Sequence, residues 1–129
     1  LRLKGATFVS LRTSVRMADR VRYGAAVFGD CARISVDTTI GDYVFIGDDC
    51  VIGHDVEIAD YAHIGTRCFI AGNARIEEDA LVHPMSSIAI GVRVGKGATV
   101  GLGSVVFHDV PDSTTVIGNP ARRLERSRN

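Results

Sequence analysis

The sequence predicts an all-β fold: a parallel β-helix of hexapeptide repeats with a short helix near its C-terminal end. Three observations predict it. Stepping by six from Ile40 to Val106 lands only on Ile or Val, through Ile46, Ile52, Ile58, Ile64, Ile70, Ile76, Val82, Ile88, Val94 and Val100. The residue after each is usually Gly or Ala, as at Gly41, Gly47, Gly53, Ala59 and Gly65. Four places on from each, the residue is small or medium, as at Val44, Cys50, Val56, Ala62, Cys68 and Ala74. A period of six is that of hexapeptide β-helices, whereas an α-helix repeats near 3.6 and an isolated strand at 2.

Taken in chain order, residues 1–20 read as an irregular lead-in. The period extends back through Ile34 and Phe28 and then fails, because Val21, Val15 and Val9 lie one residue out of phase. A slipped first coil is expected there. Residues 21–110 form the β-helix itself. Each unit contributes one short strand and one corner, and three units close a triangular coil. Branched residues fill the interior, and glycine permits the tight corners. Coils stack about 4.8 Å apart by parallel pairing. Residues 111–129 are the tail. Pro111 cannot donate to a ladder and suits the exit from the coils. Asn119-Pro120 reads as an N-cap followed by a first-turn proline, so Ala121 to Arg126 are expected to be helical.

Composition sets limits on partners. Lys+Arg and Asp+Glu are each 15, for a formal net charge of zero. The bulk field therefore points to no nucleic acid or membrane, and no stretch reads as a signal peptide or a spanning helix. Cys31, Cys50 and Cys68 have no metal-motif spacing and read as buried, reduced thiols of a cytoplasmic protein. Cys50 and Cys68 are one coil apart and both point inward.

The outward position before each Ile or Val gives three columns. Glu57, Arg75 and Arg93 form a solvated one. Phe45, His63, Leu81 and Thr99 form the second, and Val51, Phe69, Ser87 and Val105 the third. Apolar residues facing out on two sides predict contact with further copies of the chain, and a homotrimer would account for them.

Two histidines stand inside the repeat. His54 falls at a corner, followed by Asp55, and His63 lies half a coil away on another side of the prism. One chain does not bring them to one small substrate, whereas an interface between copies would. His83 and His108 read as solvent-exposed turn residues. The gaps of nine, twenty and twenty-five between successive histidines contain no close His pair, so no metal site is predicted.

The segments GHDVEIADYAHIG, FIAGNARI and GSVVFHDVPDSTTVIGNPARRL resemble the bacterial sugar acetyltransferases of the sialic acid O-acetyltransferase family. That family includes N-acetyltransferases acting on nucleotide-linked 4-amino sugars. The resemblance spans residues 21 to 123. It implies a left-handed coil, an exception to the usual right-handed crossover. It also implies acetyl-CoA as co-substrate, a sugar or nucleotide-sugar acceptor, and no metal. His54 would be the general base and Asp55 its orienting neighbour. His63, Gly72, Pro84 and Leu102 would lie against the coenzyme, with Gly118 beside the final coils where the coenzyme runs. Two places depart from the family's pattern: VHPMS at residues 82 to 86, and GLG at 101 to 103. Family members often carry an N-terminal nucleotide-sugar-binding domain, and RLKGATFVSL is expected to be the hand-over from one.

The chemistry agrees with these residues. A nucleophile attacking a thioester must lose a proton, and a neutral imidazole titrates in the right range to accept it. A carboxylate at the other ring nitrogen holds the tautomer. Backbone N–H groups at glycine corners are available to a tetrahedral oxyanion. No Ser or Cys is paired with a base, which favours direct transfer over an acyl-enzyme. The readings are then N-acetylation of a nucleotide-linked amino sugar, O-acetylation of a sugar hydroxyl or of serine, or a non-catalytic β-helix scaffold. The histidine pair distinguishes the last from the first two. Arg122 and Arg123 either solvate the tail or meet the coenzyme's phosphates, which arginine forks suit.

Overall fold

The computed structural model describes residues 14–125. Within them the chain winds as a left-handed parallel β-helix with three faces. Sheet I stacks β1 (Arg16–Met17), β4 (Arg33–Ile34), β7 (Val51–Ile52), β10 (Phe69–Ile70), β13 (Ser87–Ile88) and β16 (Val105–Val106). Sheet II stacks β2 (Arg22–Tyr23), β5 (Thr39–Ile40), β8 (Glu57–Ile58), β11 (Arg75–Ile76) and β14 (Arg93–Val94). Sheet III stacks β3 (Val27–Phe28), β6 (Phe45–Ile46), β9 (His63–Ile64), β12 (Leu81–Val82), β15 (Thr99–Val100) and β17 (Thr115–Gly118). The central register places Val51 beside Phe69 and Ile52 beside Ile70, one coil apart.

Strands only two residues long persist because every coil is bonded to the next. Val51 N–H donates to the Cys68 carbonyl at 3.0 Å and Gly53 N–H to that of Ile70 at 2.7 Å. The second residue of each strand points inward, so Ile46, Ile52, Ile64, Ile70 and Ile76 are wholly buried. The residue two before it also faces in, and the small side chains there let the corner close. Where that residue is polar it finds a carbonyl. The Thr38 hydroxyl donates to Gly53 at 2.8 Å and the Ser86 hydroxyl to Gly101 at 3.0 Å.

The expected phase slip is a one-residue deletion. Arg16 pairs with Arg33 and Arg22 with Thr39, a spacing of seventeen, whereas Val27 pairs with Phe45 at eighteen. Met17 and Tyr23 thus take the inward strand positions. Val15 and Val21 are not the branched strand residues that their phase suggested; they pack against the core two places earlier. Coil structure begins before residue 21, at Arg16, and continues beyond residue 110 into β17.

Three other expectations are corrected. The corners do not turn at the glycines after each Ile. The left-handed φ falls two residues later, at Tyr43 (59°), Asp49 (56°), Asp55 (55°), Tyr61 (62°) and Asn73 (61°). The glycines are needed instead for close approach of successive coils. A Cβ on Gly53 would meet the Gly72 nitrogen at 2.6 Å and the Ile70 carbonyl oxygen at 3.0 Å.

Secondly, Cys31 is exposed rather than buried, because it occupies one of these left-handed corner positions (φ 62°). Cys50 and Cys68 are buried as read. Contact with Cys68 together with burial pushes the Cys50 thiol well above its ordinary range.

Thirdly, the C-terminal helix is not formed. Ala121–Arg123 is β18, antiparallel to β17, with Gly118 opposite Ala121 and Val116 opposite Arg123. The turn between them carries a cis Asn119–Pro120 bond. The last coil leaves a free edge on β17, and pairing that edge satisfies more backbone groups than a one-turn helix of these residues. Arg126 lies outside the described residues. The hairpin helps wall a cleft of about 230 Å³ at the end of the coils, with Val106, Val110 and Val116 on its inner side.

Candidate active site

The repeat dictates which corner each candidate residue occupies. His54 and Asp55 follow β7 at the corner between sheets I and II, and Gly72 stands one coil on, after β10. Pro84 and Leu102 lie on a different corner, between sheets III and I, with Gly118 at the end of β17. His63 is on the outer face of sheet III. Within one chain the candidate residues therefore form two separate groups, as the half-coil spacing of the two histidines requires.

The first group is a constructed one. The His54 Nδ1 and Asp55 Oδ2 are 2.9 Å apart, and both side chains are about half exposed, at 52% each. A carboxylate accepts only, so Nδ1 carries the proton and Nε2 is left with its lone pair free. Asp55 can serve its immediate neighbour because it sits at the left-handed corner position, which aspartate tolerates better than most residues.

Gly72 is buried directly against the same imidazole. A Cβ there would meet Nε2 at 2.5 Å and Cε1 at 2.8 Å. Gly72 thus makes room for the ring that the resemblance reads as a base. The Gly72→Ala variant is expected to fold but to displace His54, lowering kcat by about a hundredfold, the scale of an ångström-sized misplacement. Steady-state kinetics beside a thermal melt would test this, and an unchanged kcat would overturn it.

The second group is apolar. Pro84 packs directly on Gly65, whose added Cβ would meet the Pro84 nitrogen at 2.6 Å. The Pro84 carbonyl accepts from Gly103 N–H at 3.0 Å, which carries the corner up to the exposed Leu102. Gly118 N–H donates to the Ser104 hydroxyl at 3.1 Å and so is tied to the same corner. On the neighbouring face His63 stacks on Phe45 with ring centroids 4.6 Å apart. Burial there, with the nearby charge of His83, holds the His63 imidazole below the usual histidine range, so it is neutral near pH 7. His83 is half-buried rather than fully exposed, and His108 is exposed.

Some neighbours of these groups carried no prediction. Met85 is 56% exposed beside Pro84, and Ile90, 68% exposed, takes the corner place held by His54 and Gly72 in earlier coils. The period contained the signal, since an apolar residue at an outward corner place departs from its column. Arg122 and Arg123 are exposed on β18 beside the end cleft, where Arg122 makes a 3.0 Å bond to its neighbour's carbonyl. Among the described residues no three His, Cys, Asp or Glu side chains converge as a metal cluster, and no helix is long and apolar enough to cross a membrane.

Residues 37–72 match the model of the bacterial transferase hexapeptide (six repeats). Over 42 residues the chain is 45% identical to serine acetyltransferase of Bacillus licheniformis, covering 33% of this chain and 19% of that protein. Over 47 residues it is 45% identical to the 2,3,4,5-tetrahydropyridine-2,6-dicarboxylate N-acetyltransferase of Staphylococcus aureus, covering 36% and 20%.

Two solved structures are similar over most of the chain. One is the acetyltransferase domain of PglB from Neisseria gonorrhoeae, in complex with acetyl coenzyme A. It is 26% identical with a TM-score of 0.87, over 90% of this chain and 57% of that one. The other is PerB from Caulobacter crescentus, in complex with CoA and GDP-perosamine. It is 27% identical with a TM-score of 0.79, over 92% and 57%. The chain thus spans about a fifth of the curated relatives and a little over half of the solved chains. By its six-residue period, its coil and these matches, the chain carries transferase hexapeptide repeats over residues 37–72 and shares the fold of the PglB acetyltransferase domain and of PerB.

Proposed function

We propose that the protein transfers acetyl from acetyl-CoA to the amino group of a nucleotide-linked sugar, with His54 as general base. The observation that carries this reading is the imidazole bonded at Nδ1 to Asp55 and laid over Gly72, on a fold shared with proteins solved with acetyl-CoA and with GDP-perosamine. The neutral amine attacks the thioester carbonyl while His54 Nε2 takes its proton. The C–N bond forms, the carbonyl electrons collect on oxygen, and their return expels the coenzyme thiolate. His54 then gives up the proton to that thiolate or to solvent. Asp55 keeps the ring in the accepting tautomer and stabilises the transient imidazolium. The apolar corner of Pro84 and Leu102 and the neutral His63 suit the uncharged arm of the coenzyme, with Gly118 at its far end.

Because the two groups lie on different corners, the complete site requires His54 of one copy and the Pro84 corner of another. A homotrimer is the proposed assembly, supported by the outward Phe45, Val51 and Phe69, each more than a third exposed. The test is release of free thiol from acetyl-CoA with a panel of nucleotide-linked 4-amino sugars, run beside sedimentation of the active sample. Acetylation of at least one panel member by a trimer is expected. An active monomer would remove the shared-site reading, and no turnover on the whole panel would remove the acceptor class. O-acetylation is the second reading, favoured by the serine acetyltransferase match over 42 residues, so serine and neutral sugars belong in the same assay.

A further inference from the structure

The outward column of sheet I runs Arg16, Arg33, Val51, Phe69, Ser87, Val105, and its first two members are a like-charged pair in register. Both are exposed, on strands about 4.8 Å apart. Like charges placed directly opposite in a ladder repel. Elsewhere on the coils this chain sets a carboxylate against an arginine, including at the other in-register arginine pair, Arg75 and Arg93. Arg20 meets Asp37 at 2.6 Å, Arg67 meets Asp49 at 3.8 Å, Arg75 meets Glu57 at 2.9 Å and Arg93 meets Asp112 at 2.9 Å. Among the described residues Arg16 and Arg33 make no ion pair. They border a groove of about 420 Å³ that Ser35, Val51 and Ile52 also line. Ile52 ends β7, two residues before His54, so the groove ends close in the chain to the corner that holds the imidazole.

We infer that Arg16 and Arg33 form a phosphate-binding site for the diphosphate of a nucleotide-linked acceptor, whose sugar then reaches His54 around the corner. The inference rests on the acceptor class proposed above. Two guanidinium forks, one coil apart, present donors to the oxygens of two linked phosphoryl groups, and an anion between them relieves their repulsion. The three residues from Val51 to His54 span at most about 10 Å, so the groove and the imidazole are within reach of one extended ligand. The same chemistry could take the phosphates of coenzyme A, and the experiment separates the two.

Calorimetric titration of UDP, GDP and dTDP, and separately of coenzyme A, should be made on the full chain, on the Arg16→Gln/Arg33→Gln double variant and on His54→Ala. The double variant is expected to bind the preferred nucleoside diphosphate about 10- to 100-fold more weakly, the scale of losing charge-assisted hydrogen bonds. Coenzyme A binding should change less than twofold, and His54→Ala should bind the diphosphate normally. In turnover, KM for the nucleotide-linked sugar should rise while kcat at saturation holds. Absence of diphosphate binding to the unaltered chain overturns the inference. So does an unchanged affinity in the double variant, or an equal loss for coenzyme A. Arginine-dependent diphosphate binding with no acetyl transfer to any sugar would uphold this site while removing the proposed reaction.

Discussion

His54→Ala is expected to lower kcat by about two to four orders of magnitude, the usual scale for losing general base assistance, with the KM for acetyl-CoA little changed. The imidazole is fixed from both sides. Asp55 accepts from Nδ1 at 2.9 Å, and the corner of the next coil, at Gly72, lies against the opposite side of the ring. Removing the ring leaves the apolar Pro84 corner untouched, which is why coenzyme affinity should hold. Asp55→Asn should have a smaller effect, because an amide can still accept from Nδ1–H but stabilises the imidazolium less. Initial rates at saturating acetyl-CoA, with circular dichroism to confirm the fold, would measure both. Near-normal turnover of His54→Ala at neutral pH would remove this histidine from the mechanism.

Ile64→Ala is expected to cost about 2–5 kcal/mol of stability, through lost burial and the cavity left behind. Ile64 is fully buried in β9, stacked in register between Ile46 of β6 and Val82 of β12. Coils touch only their neighbours, so stability in such an array is a sum of unit and interface contributions, and a weak central unit uncouples the two ends. Ile64→Val, which removes one methylene, should cost only about 0.5–1.5 kcal/mol. Denaturant unfolding would give both values. Equal stability of Ile64→Ala and the parent would mean that the column is not a packed core. The position also supports function, since the preceding residue, His63, rides on the same two-residue strand.

The sequence by itself determined the repeat, because a period of six admits one economical solution: a coil whose inward places are branched or small. From that arithmetic followed the faces, the columns, and the separation of His54 from His63 onto different sides of the prism. Each depends only on spacing, and spacing survives folding unchanged when every coil hydrogen-bonds to the next. Tertiary structure decided the places where the period stops or where one coil meets another. The out-of-phase Val15 and Val21 mark a slip in the sequence, but its form, one residue missing between Tyr23 and Phe28 so that both valines leave the strands, was decided by the pairing of coils. Asn119-Pro120 carries a helix-start signal, yet the open edge of β17 drew the following residues into β18, because the unpaired backbone at the end of a stack outweighs a one-turn helix. The glycines that follow the inward Ile or Val, such as Gly53, serve clearance between coils, whereas Gly91, Gly97 and Gly103 take the left-handed corner places themselves. Likewise the spacing marks Gly72 only as a small residue and the resemblance reads it as a coenzyme contact, whereas a coil of eighteen residues lays it against the His54 imidazole.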